Sequence, residues 1–119
     1  MARKTLLECS FLIPLRGDRN LSDGRPHRAA AWAWLESHLV QFGGGARAKE
    51  MIAGWYEDPD TQERVWDDSW RYFVAVPPGQ VRRLRAVLVE ACAVFEQKCI
   101  CLSVAGHVEF VGRRRHEKP

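Results

Sequence analysis

Two places in this sequence set acid–base side chains at a spacing that chemistry can use. His107 and Glu109 are two residues apart in an alternating segment, so on a strand both leave the same face and could exchange a proton. A cross-strand charge pair on a solvated surface accounts for that spacing equally well. Asp67 and Asp68 stand between Trp66 and Trp70. Neighbours on a strand point opposite ways, so these two carboxylates cannot serve one site, which weakens any dyad or metal reading. A single carboxylate flanked by tryptophans suits a cation or a sugar-like ligand, while the plainer reading is an acidic hairpin that keeps an edge strand soluble. Trp55 and Tyr72 complete the candidate set, as aromatic walls of a pocket in which His107 and Glu109, or Asp67, would handle protons.

Signatures of other chemistries are absent. No G-x-x-x-x-G-K-[ST] loop occurs, and Gly43-Gly44-Gly45 follows a helical pattern, where glycine serves as terminator. None of Ser10, Ser22, Ser37, Ser69 and Ser103 lies in G-x-S-x-G, which excludes a hydrolase of the elbow type. His27, His38, His107 and His116 never take the H-E-x-x-H spacing, and His38 beside an apolar helical stripe reads as a hydrogen-bonded packing residue. Cys99 and Cys101 point to one face of a strand and form no C-x-x-C knuckle; with Cys9 and Cys92 they read as reduced thiols. No metal and no cofactor is expected.

Charge is unevenly placed. The net +3 belongs to residues 113–119, where Arg113, Arg114, Arg115 and Lys118 face only Glu117; the preceding 112 residues are neutral. Residues 57–71 carry six acidic against two basic side chains. Arg82, Arg83 and Arg85 open a helical segment, where cations oppose the macrodipole, so they call for carboxylates or an anionic partner. Together with the arginine tail they are the candidate nucleic-acid contacts. That reading is the weakest, because residues 71–76 have aromatics but lack the glycine pattern of an RNA-binding strand.

These groups need elements to hold them. At 119 residues, 46% hydrophobic and 28% charged, the chain fits one globular domain over residues 1–112 with a basic tail over 113–119. It has no membrane-spanning stretch, and no apolar leader precedes Cys9, so the cytoplasm is the expected compartment. Residues 5–15 alternate as a strand that Pro14 ends, and Ser22-Asp23-Gly24 marks a turn. Pro26 opens a helix with Trp32, Leu35, Leu39 and Phe42 on its stripe. Residues 52–56 and 65–76 form a hairpin about Asp58-Pro59-Asp60. A second helix carries Val81, Leu84, Leu88, Ala91 and Phe95, and residues 99–111 make a last strand, with Ala105-Gly106 able to fold it into a small hairpin.

The order βαββαβ matches an α+β, ferredoxin-like fold, with two helices on one face of a four-stranded antiparallel sheet. The other face would bear Leu6, Ser10, Leu12, Cys101 and Ser103, with either Phe73 and Ala75 or Tyr72, Val74 and Val76. Such an apolar face calls for a cover, and of five tryptophans at least Trp55, Trp66 and Trp70 are interface candidates.

Ser22-Asp23-Gly24, Trp34-Leu35-Glu36, Phe42-Gly43-Gly44, Gly54-Trp55 and residues 72–76 together resemble small uncharacterised bacterial proteins of ferredoxin-like type, some of them from mobile elements. The resemblance covers most of the chain and implies the fold, not an activity. The leading expectation is therefore a non-catalytic domain that self-associates as a homodimer through its open sheet face, with an accessory or regulatory binding role. A small enzyme with an aromatic pocket for a small-molecule ligand is the second reading, and a nucleic-acid accessory factor the third.

Overall fold

A computed structural model describes residues 5–113. In chain order these form β1 (Leu7–Pro14), α1 (Ala29–Leu39), β2 (Gly44–Arg47), β3 (Ile52–Glu57), β4 (Arg64–Val76), a single 3-10 turn at Pro78–Gln80, α2 (Val81–Val94), β5 (Cys99–Val104) and β6 (His107–Gly112). All strand pairings are antiparallel, in the order β2-β4-β1-β5-β6, with β3 also on β4. Among the described residues no helix is long and apolar enough to cross a membrane.

Six strands in one sheet overturn the four-stranded ferredoxin-like expectation. One reason lies in Gly43-Gly44-Gly45, which does more than stop a helix. A Cβ on Gly43 or Gly45 would come within 3.2 Å of the Ala75 or Phe73 carbonyl oxygen, so bare backbone lets β2 close onto β4. The other reason is the pair Ala105 and Gly106, at φ 49° and 90°, which reverses the chain in two residues and makes β5 and β6 from the expected last strand. Helix α1 also starts later than Pro26 suggests, because Pro26 is held in a β-bridge to Arg16.

Alternation sorts the sheet into two sides. Cys9, Phe11 and Ile13 of β1, Tyr72, Val74 and Val76 of β4, and Ile100 and Leu102 of β5 share one side. They pack with Leu35 from α1 and with Leu84, Leu88, Ala91 and Cys92 from α2 into a single core. On the other side are Ser10, Leu12 and Pro14, then Asp67, Ser69, Arg71, Phe73 and Ala75, then Cys99, Cys101 and Ser103, and finally Val108 and Phe110 at the β6 edge. Of the two alternatives for β4, Phe73 and Ala75 take the open side. Among the described residues no helix covers that side.

Candidate functional site

The β3–β4 hairpin decides which groups meet. Its register sets Gly54 opposite Asp67 and Tyr56 opposite Val65, so Asp67 and Tyr56 are diagonal neighbours on the open side. Beyond the end of β1, Asp18 begins a tight turn: its backbone N–H donates to the Glu96 carbonyl at 2.8 Å, and its own carbonyl accepts from Leu21 and Ser22. Gly17 before it has no room for a side chain, since a Cβ would lie 2.5 Å from Ser22 Oγ. The Asp18 carboxylate accepts from Asn20 N at 2.8 Å and from the Tyr56 hydroxyl at 3.4 Å. Asp58 braces the hairpin tip from beneath: wholly buried, it accepts from Asn20 Nδ2, from the Asp60 and Thr61 amides, and from Lys98 Nζ at 3.1 Å. Burial alone would raise its pKa, but these donors outweigh it and hold the carboxyl far below the usual range.

The result is a cleft of roughly 100 Å³ between Leu12, Pro14, Gly54, Tyr56, Asp67, Ser69, Cys99, Cys101 and Phe110, with Trp55 at its edge. Asp67 is half-buried there. Burial raises its pKa, and the charges of Asp18 and Asp68 raise it further. Burial also raises the Tyr56 phenol, with Asp18 and Asp67 adding to the rise. Cys99 is pushed up to about 11, by burial first and then by Asp18 and Asp58. Asp18 and Asp67 have no ion-pair partner among the described residues. This end of the open side is therefore a weakly hydrated, apolar space with a surplus of negative charge, fit to receive a cation. Among the described residues no three His, Cys, Asp or Glu side chains converge as a metal ion would require.

Of the sequence candidates, Asp67 alone brings an ionisable group to this cleft. Asp68 leaves the opposite side, opposite Ala53. Tyr72 is a core residue stacked on Phe11 at 5.4 Å, and Trp70 lies on the helix side under the Arg47 guanidinium, 4.2 Å from its ring. Trp55 and Trp66 face each other across the hairpin at 6.3 Å, 57% and 62% exposed, with Arg64 over Trp55. His107 and Glu109 share the helix side of β6, but Glu109 is engaged by Arg85 through bonds of 2.6 and 3.1 Å, which is the structural alternative to an acid/base pair. Arg82 and Arg83 are exposed on α2, and Arg113 donates its amide to the Lys98 carbonyl. Arg114 and Arg115 lie outside the described residues. Tyr56 and Asp18 were missed. Counting the hairpin register outward from Asp58-Pro59-Asp60 would have found Tyr56; nothing in the sequence marks Asp18.

No family model matches this chain, and no curated protein matches it. Among solved structures, a phage SAM lyase in complex with S-methyl-5'-thioadenosine is similar over 98% of this chain and 97% of that one, with a TM-score of 0.68 at 11% identity. A phage SAM lyase in the apo state is similar over 98% of both chains, with a TM-score of 0.58 at 12% identity. At such identity the likeness is one of fold, along nearly the whole chain.

Proposed function

We propose that this chain is a small enzyme acting on an S-adenosyl sulfonium compound, cleaving a carbon–sulfur bond to release a neutral thioether nucleoside. The observation that carries the reading is the unpaired negative charge of Asp67 in an apolar cleft, with the Asp18 carboxylate behind it on the Tyr56 hydroxyl. The whole-chain likeness to a SAM lyase supports it. A sulfonium has no N–H to donate, so it is recognised by a negative field and apolar walls, and this cleft offers both. As the bond breaks its electron pair goes to sulfur and the positive charge there fades, while in S-adenosylmethionine the carbon released bonds to an oxygen of the substrate's own carboxylate, closing a lactone with no further reactant. Walls such as Leu12, Pro14 and Phe110 disfavour the charged substrate more than the bond-breaking state, while Asp67 secures binding.

The test is incubation of the purified chain with S-adenosylmethionine, followed by chromatography for S-methyl-5'-thioadenosine. Asp67→Asn is expected to lower kcat/KM by about a hundredfold. Its melting temperature should equal or exceed that of the native chain, because burial makes the ionised carboxylate a cost to the fold. Activity should also fall as pH drops through the raised pKa of Asp67, at a pH above that of an ordinary carboxylate. Neither product formation nor binding of S-adenosylmethionine by the native chain would overturn the reading.

We further propose that two copies associate through the open side. Val108 and Phe110 there are 64% and 57% exposed, and the cleft is smaller than the roughly 300 Å³ at which ligand pockets begin, so a second copy would both cover the apolar edge and enlarge the site. Sedimentation should give about twice the chain's 13.6 kDa at micromolar concentration. A monomer at tens of micromolar in the presence of S-methyl-5'-thioadenosine counts against it.

A further inference from the structure

Arg71 is a cation on the open side that the cleft as described leaves unused. It follows Asp67 and Ser69 on the same side of β4, next to Leu12 of β1. The residue is half-buried, and its Nε is fully buried with no hydrogen-bond partner. It has no ion pair among the described residues, whose salt bridges join Arg25 to Asp23, Arg85 to Glu109, and Lys98 to Asp58 and Asp60. Its Cζ lies 5.5 Å from the Phe73 ring, near the outer limit of a cation–π contact and readily exchanged for a stronger partner. Its charge also reaches Cys101, where it opposes the burial that raises that thiol. A guanidinium offers five donors in a plane that matches a carboxylate, and leaving a buried donor unmatched is unfavourable.

We propose that Arg71 binds the carboxylate of the substrate's amino-acid arm, while Asp67 faces the cationic sulfur. The proposal rests on the enzyme reading above and deepens it by naming the substrate as a sulfonium that carries an α-amino acid. Asp67 and Arg71 are four residues apart on one strand, roughly 13 Å between Cα atoms. An aminobutyrate arm with a polar contact at each end bridges that span. The row Asp67, Ser69, Arg71 then reads the two ends of a zwitterionic arm with opposite charges, and a nucleoside lacking that arm would be bound without Arg71.

S-methyl-5'-thioadenosine lacks the arm, which makes it the control. Titration calorimetry of the native chain, Arg71→Met and Arg71→Lys with S-adenosylmethionine and with S-methyl-5'-thioadenosine separates the outcomes. Arg71→Met is expected to weaken S-adenosylmethionine about tenfold or more and to leave S-methyl-5'-thioadenosine within about twofold, with Arg71→Lys intermediate. Equal loss of both ligands in both variants, loss of neither, or a changed sedimentation mass with both affinities unchanged would overturn the proposal. A native chain that binds neither ligand removes the enzyme reading itself, and this proposal with it. A native chain that binds both, with unchanged affinities in the variants, removes the Arg71 assignment alone.

Discussion

Asp67 and Gly54 define the cleft by contrast: one brings charge to it, and the other, directly opposite, brings no side chain at all. A Cβ built on Gly54 meets no atom within 4 Å, so the fold has room for a larger residue there, although it would fill the cleft proposed for the ligand. Gly54→Val is therefore expected to melt at or above the native temperature, since a β-branched residue suits a strand better than glycine by up to about 1 kcal/mol. The same variant should bind S-methyl-5'-thioadenosine about tenfold more weakly by calorimetry. At this scale the sequence was partly legible. The opposed directions of Asp67 and Asp68 follow from strand alternation alone. Which of the two enters a cleft depends on where the helices pack, and that is set by residues as far away as Leu84 and Leu88. Asp18 belongs to a turn tied down by Glu96, a contact spanning most of the chain, and so gave no local signal.

Strands and helices were read more surely than their number. The long β4 and the stripe of α2 follow from periodicity and the hairpin from the Asp58-Pro59-Asp60 turn, and α2 keeps Val81, Leu84, Leu88 and Ala91 buried as that stripe requires. The additional strands came from glycine positions whose meaning is not local. Gly43 and Gly45 look like helix terminators until β4 lies beside them, and the Ala105-Gly106 turn reads as a break within one strand until β6 has a partner. That turn is imperfect, because Ala105 sits at φ 49°, where an alanine side chain is strained and asparagine is tolerated. Ala105→Asn is expected to raise stability by about 0.5–1 kcal/mol in chemical denaturation, leaving ligand affinity unchanged. A lower denaturation midpoint would show that the residue is held by contacts other than its backbone geometry.

For the molecule as a whole, the sequence conveyed an α+β chain with one side of its sheet bare, but not the sheet's width or its likeness to a lyase. The sheet's width also shapes the molecule. Its radius of gyration is 14.7 Å, against about 13.5 Å for a compact chain of this length, and its extents are 52 × 41 × 26 Å. Arg85 pairs with Glu109 across α2 and β6, so two residues proposed for separate activities fasten a helix to the sheet edge.

One strand touches three others: β4 pairs with β1 along eight of its residues while β2 and β3 divide its opposite edge. Insertions and deletions should therefore be distributed very unequally along this chain's lineage. The exposed turn at residues 105–106 can lengthen at little cost, whereas the tip at residues 58–62 is tied down by buried Asp58. A single codon gained or lost within β4 would turn every side chain on one side of the change to the opposite face, whether Asp67 and Ser69 towards the helices or Tyr72 and Val74 away from them, and break the register with its partners. Natural variation in length belongs at the 105–106 turn, and residues 64–76 are expected to vary only by substitution.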